Sequence, residues 1–320
     1  MIYSIDFETR SKANLPDVGL DIYANDPSTE VLCIAWGNKP DNVSVGVPQP
    51  SKNWQDTKGN ILLHVLLDHV ADGGKIAAWN AMFEYAIWNC VCVPKYGWPA
   101  LKLEQCIDTM AVAAANNIPQ SLDDAGAFMD AQYQKDPIGK RLIQKLCKPG
   151  IKGTFNNDPE LLKQLFDYCA QDVRTEMALG AVLRPLEDVE QAVWTLTQRI
   201  NTRGVPVDPR ELQNAVLAVQ TAQDTIDREC LELTGCKPSE RAKLLAWLNE
   251  QGAGLDDLTA ETVSKMLQCS IHTRVKKALE LRQDGSQTSV AKYAKMLEVQ
   301  RGGRIRNTLV YHGASTGRWA

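Results

Sequence analysis

The sequence has no uninterrupted apolar run of about 18 residues, so no segment is expected to cross a membrane as a helix. It also lacks the basic and apolar stretches of a signal peptide at its start. The chain enters a strand pattern at once, and a cytosolic setting is expected. Zinc-type cysteine spacing is missing as well: Cys90 and Cys92 form only a C-x-C. Cys33, Cys106 and Cys169 lie inside apolar runs, which favours buried free thiols over a disulfide framework. No repeat of about 20–50 residues and no low-complexity tract is evident. Positive charge is not in excess either; the net charge of -4 taken alone argues weakly against a nucleic-acid partner.

What is present is the mix of a soluble protein with a real core, over 320 residues, a length for two domains. The charge is unevenly spread. Between Lys265 and Ala320 stand eleven basic residues, opposed only by Glu280, Asp284 and Glu298, which can mark a phosphate-facing end on an acidic body. Residues 2–7, 31–36, 43–47, 75–79 and 105–109 are short runs that read as strands. Helical patterns are interleaved over 60–74 and from Asn80, a good N-cap, to 91. Ser121 and Asp124 open another in the manner of a capping box. A long helix follows from Asp158 and Pro159, and Pro185 breaks it. This predicts an α/β domain over 1–185 with a closing helix. From 186 to 302 strand signals nearly vanish, and amphipathic segments stopped by Gly204 and Gly235 predict an all-helical second region. Beyond Gly303, "RIRNTLVYHGASTGRWA" reads as a strand and a polar loop.

Three acidic motifs carry the chemistry. In "YSIDFETR", Asp6 and Glu8 are two residues apart on a strand and so share a face. Two like charges held together repel, and a divalent cation removes the conflict; hard oxygen donors suit magnesium or manganese. In "WNAMFEY", Glu84 lies one turn into a helix between Phe83 and Tyr85, where an unpartnered carboxylate is costly to bury. In "YCAQD", Tyr168 and Asp172 are spaced i, i+4 on a mostly apolar stripe with Leu165 and Cys169 that should face the sheet. Each motif alone is better read as an ordinary solvated acid or a core tyrosine beside a surface acid. Their order and combination are more specific.

The set resembles the DEDD family of 3′→5′ exonucleases, in the subclass whose third motif carries tyrosine. "CIDTMAVAAANN" and "SLDDAGAF" look like that family's later strand and helices. The resemblance implies a ribonuclease-H-like fold, a mixed sheet flanked by helices, and two Mg2+ or Mn2+ ions about 4 Å apart. It implies that Asp6, Glu8 and Asp172 hold the first ion, and that Asp6 and Glu84 hold the second. The family usually has Asp where this chain has Glu84, one methylene longer. Tyr168 is assigned to orienting the attacking water, since a phenol of pKa about 10 is a poor base at neutral pH. Asn80, Thr9 and the backbone at Phe7 are expected to touch the terminal nucleotide, and nucleoside 5′-monophosphates to be released from a 3′ end.

"INTRGVPVDPRELQ" looks like the stretch that follows the exonuclease domain in family A DNA polymerases, and "GRIRNTLVYHGASTGRWA" resembles the first polymerase signature of the bacteriophage branch. By that resemblance 186–302 is thumb-like and grips duplex DNA by its backbone, and 303–320 opens the palm. Arg304, Arg306 and Arg318 are then expected near DNA. Palm and fingers are expected after residue 320, so this chain is not expected to polymerise unaided; a split gene product would find them on a second polypeptide. The expected partners are a single-stranded DNA 3′ end and a primer-template duplex, in the cytoplasm of a bacterial or phage-infected cell. The terminal stretch should be poorly ordered or pack against the thumb-like helices. Two alternatives stay open: a free-standing exoribonuclease resembling ribonuclease D, and a DNA-binding fragment without catalysis.

Overall fold

The computed structural model describes residues 1–48, 54–56, 63–130, 138–151, 153–286, 290–314 and 316–320. The first residues of the segments expected to be helical over 60–74 and 288–303 lie outside these, as does Ser315 of the "YHGAS" stretch. The described chain forms two compact units, Met1–Val205 with Arg304–Ala320, and Pro206–Gly303.

The first unit is built on a six-stranded mixed sheet. Its strands are β1 (Ile2–Arg10), β2 (Glu30–Gly37), β3 (Val43–Pro48), β4 (Trp54–Asp56), β5 (Lys75–Ala78) and β6 (Cys106–Asp108), in spatial order β4-β3-β2-β1-β5-β6. Strands β1 to β4 pair antiparallel, whereas β5 runs parallel to β1 and β6 parallel to β5. Each parallel step needs a crossover. The first is α2 (Leu63–Ala71); the second contains α3 (Ala81–Ile87), a π-helical turn Trp88–Cys92 and α4 (Val93–Tyr96). Before β2 comes α1 (Leu15–Asn25), kinked where Gly19 takes φ 77°.

After β6 the chain forms α5 (Thr109–Ala115), α6 (Leu122–Phe128), α7 (Gly139–Leu146), α8 (Pro159–Val182) and α9 (Asp188–Arg203). The caps follow the residues expected for α6 and α8. Ser121 Oγ accepts from the Asp124 amide at 3.5 Å, and Asp158 Oδ1 accepts from Glu160 and Leu161 at 2.9 and 3.1 Å. Asn80 departs from its expected role. It enters α3 with left-handed backbone (φ 68°) and its side chain makes no capping bond; short Asn side chains tolerate that conformation.

The sheet alternates as a half-shared layer should. Ile5 and Phe7 of β1 join Ile34, Trp36 and Ile76 in a core with Ala81, Met82, Ile87, Trp88 and Trp98. The opposite face holds Cys33, Ala35 and Val45 against Cys169, Ala170 and Val173 of α8.

The break expected at 185/186 is displaced. Helix α9 stays with the first unit because Trp194 is 1% exposed in its core and donates Nε1–H to Asp108 Oδ2 at 3.2 Å. The stretch after 303 likewise belongs to the first unit. Asn201 of α9 exchanges two hydrogen bonds with the backbone of Leu309 (2.8 and 2.9 Å), and Tyr311 is buried with its hydroxyl on Glu190 at 2.7 Å. Its expected strand is only β8 (Arg304–Ile305), paired with β7 (Val205–Pro206).

The second unit is helical: α10 (Pro209–Thr234), α11 (Arg241–Glu250), α12 (Ala260–Leu267), α13 (Thr273–Asp284) and α14 (Ala291–Val299). Asp208 caps α10 and Gly235 ends it in the left-handed conformation (φ 77°). Its own core gathers Cys230, Leu244, Leu248, Val263, Val275 and Leu279. No helix among the described residues is long and apolar enough to cross a membrane.

Candidate active site

Asp6 and Glu8 lie opposite Ala35 and Cys33 of β2, the residues that pack on α8, so both carboxylates take the α8 side of the sheet. The register shifts between Glu8 and Thr9, a bulge that interrupts the regular pairing beside the two acids before it resumes at Thr9 and Arg10. Cys169 of α8 donates its thiol to Asp6 Oδ2 at 3.2 Å and to the Asp6 carbonyl at 3.4 Å. This ties the helix carrying Tyr168 and Asp172 to the strand carrying Asp6 and Glu8.

The stripe on α8 is buried as a whole: Leu165, Tyr168, Cys169 and Asp172 all lie inside. The Tyr168 phenol hydrogen-bonds Asp172 one turn on. Burial first, then the charges of Asp172, Glu8 and Asp6, push its pKa far up, so it stays a protonated donor. Glu84 is only 2% exposed, and its Oε2 has no hydrogen-bond partner among the described residues. Burial raises its pKa well above the usual carboxylate range, and the neighbouring Asp6 charge adds to the rise. The Asp6 charge thus contributes to the shifts of both Glu84 and Tyr168, residues of the other two motifs.

As donors these groups suit a hard divalent cation, being four carboxylates, and the buried Glu84 Oε2 is left without a hydrogen-bond partner among the described residues. Among the described residues no three His, Cys, Asp or Glu side chains stand as a ready-made coordination shell.

Beside the cluster opens a cavity of about 540 Å³, lined by Phe7, Glu8, Thr9, Tyr23 and Phe83 and, across from them, Ile143, Gln144 and Cys147. Thr9 is buried and shares a 2.8 Å hydrogen bond with the Tyr23 hydroxyl. Asn80 is placed elsewhere, on a smaller cavity of about 240 Å³ with Asp108, Trp194 and Tyr311. Arg304 and Arg306 are turned to the chain's own groups. Arg304 donates to the Gly204 carbonyl at 2.9 Å, and Arg306 to the Thr202 carbonyl at 3.0 Å and to Asp21 at 3.4 Å. Arg318 is exposed and bonds Thr316 at 3.1 Å.

Asp108 was not among the expected site residues. It is 3% exposed and accepts from the amides of Asn80, Met110 and Ala111 at 3.0–3.2 Å, besides the Trp194 indole. Burial pushes its pKa up to about 6, against those hydrogen bonds. It fixes the left-handed residue from which α3, and so Glu84, departs. The signal was in "CIDTM", an acid closing a strand at the N-cap of the next helix.

No family model matches this chain. Over 333 aligned positions it is 31% identical to a protein described as a DNA polymerase, from Bacillus phage SP02, across 99% of this chain and 49% of that one. In fold it is similar to the POL domain of Pol1 from M. smegmatis, solved in complex with DNA primer-template and dNTP. The TM-score is 0.54 at 15% identity, covering 99% of this chain and 50% of that one. The chain spans about half the length of the curated relative it matches. By sequence it is homologous to a bacteriophage DNA polymerase.

Proposed function

We propose that the first unit is a 3′→5′ exonuclease of the DEDD type on a ribonuclease-H-like sheet, and that it proofreads DNA as part of a DNA polymerase. The observation that carries this reading is the contact of α8 with β1 through the Cys169 thiol and Asp6 Oδ2 at 3.2 Å, which sets the motif of Tyr168 and Asp172 against that of Asp6 and Glu8, with the buried Glu84 Oε2 left unpartnered among the described residues. Asp6, Glu8 and Asp172 would hold one divalent cation, and Asp6 with Glu84 a second. Such cations, when bound, neutralise charge on the scissile phosphate and lower the pKa of a water.

The chain's own groups do the rest. Tyr168 keeps its proton and is tethered to Asp172, so it orients a water rather than deprotonating it. The cavity beside Glu8 takes the terminal nucleotide, with Phe7 and Phe83 offering apolar surface to its base. Cys169 holds the Asp6 carboxylate in place from behind. The helices of the second unit contact duplex backbone through their lysines and arginines.

Asp6→Ala is the test. Magnesium-dependent digestion of single-stranded DNA should disappear with the circular dichroism spectrum retained. Undiminished digestion by that variant would place the chemistry elsewhere. Matched DNA and RNA oligonucleotides separate this reading from an exoribonuclease.

A further inference from the structure

Helix α7 has two unlike faces. Leu142 and Leu146 are fully buried with Leu165 and Tyr168 of α8 and Leu32 of β2. Gly139 lies flush on the Tyr168 ring: a Cβ there would stand 2.2 Å from Cε2 and 2.8 Å from the phenol oxygen. The helix is therefore pressed directly onto the residue that holds Asp172.

The other face is cationic. Lys140, Arg141 and Lys145 are exposed, as is Lys148 just beyond, and residues 138–151 contain no acid. None of the four enters an ion pair among the described residues, whereas Arg10, Arg184, Arg199 and Arg306 of the same unit are each matched by a carboxylate. Ile143, Gln144, Cys147 and Lys148 form one wall of the 540 Å³ cavity, and Lys12 also lines it. Lys148 thus belongs both to the lining of that cavity, which Glu8 shares, and to the exposed cations at the end of α7.

We infer that the basic face of α7, with Lys148, binds the phosphates of single-stranded DNA upstream of the nucleotide in the cavity. The polarity of the strand rests on the exonuclease reading; the binding surface does not. Exposed cations set along a helix about 12 Å long suit successive phosphates of one strand, because phosphate contacts are gained without reading a base.

The experiment uses the full chain in EDTA, where nothing is hydrolysed, with a fluorescein-labelled thymidine oligonucleotide of about a dozen residues. Anisotropy is measured over a range of NaCl concentrations. The variant Lys140→Gln/Arg141→Gln/Lys145→Gln is expected to bind at least about tenfold more weakly. The slope of log affinity against log salt should fall by about 2, near 0.7 for each lost phosphate contact. Unchanged affinity and slope overturn the proposal. So does an equal loss in the control Lys39→Gln/Lys75→Gln/Lys102→Gln, and so does a loss confined to a uridine oligonucleotide. Should the wild-type chain show no metal-dependent digestion while the variant still loses DNA binding, the nuclease reading falls and this surface stands.

Discussion

Glu84 is held where a carboxylate is expensive. Its Oε2 finds no partner among the described residues, and a site for cations is the circumstance that makes such an arrangement useful. Replacing it with an apolar side chain of similar length should reveal the conflict between stability and activity. Glu84→Met is expected to raise the metal-free melting temperature, by about 1–2 kcal/mol of stability, while digestion is lost. Thermal melts in EDTA beside a nuclease assay would check both halves. Asp108 answers differently. Its folded pKa of about 6 lies above the ordinary value of 3.8, so the folded state holds the proton more tightly than the unfolded chain. That contribution is complete below about pH 4, is lost as pH rises through 6, and amounts to about 3 kcal/mol. Asp108→Asn should remove this dependence, and at neutral pH it should cost about 1–3 kcal/mol because an amide N–H₂ would face the Trp194 indole. Denaturant melts between pH 4 and 8 would read both effects. A flat wild-type profile would mean that Asp108 is solvated.

Helix α7 and helix α8 meet with no room for a methyl group at Gly139. Gly139→Ala should therefore displace either the Tyr168 ring or the whole of α7, at about 1–3 kcal/mol. Nuclease activity should drop more than stability does, measured as kcat against melting temperature. At this scale the sequence was readable wherever capping chemistry and periodicity agreed. Asp158 with Pro159, Asp208 with Pro209, and Gly204 and Gly235 marked α8, α9 and α10 closely. It was opaque where tertiary contacts override local preference. Helix α1 is interrupted by Gly19, and α7 carries only two fully buried side chains besides its glycine. The three-residue β4 is too short for any pattern to declare itself. Among the candidate residues, the shared faces of Asp6 with Glu8 and of Tyr168 with Asp172 were legible because strand and helix periodicity dictate which side chains lie together. The roles of Cys169 and Asp108 were not, since both depend on a neighbour more than 80 residues away in sequence.

The two units have separate cores, and the second keeps its own within 206–303. That segment expressed alone is expected to give a helical circular dichroism spectrum and a cooperative thermal transition; a non-cooperative melt would show that its core is insufficient. The break was legible as the point where strand signals cease, but its position was not. Nothing in "EDVEQAVWTLTQRINTRG" announces that Trp194 bonds to the end of β6 or that Asn201 pairs with Leu309. The first unit is in consequence discontinuous, made from two stretches of sequence with a helical insert between them. On the ribosome this imposes a delay. The sheet and α8 emerge early, yet Asn201 and Glu190 of α9 meet Leu309 and Tyr311 only after the entire insert has been translated. A nascent chain paused inside the insert would therefore carry α9 without the partners of Asn201 and Glu190.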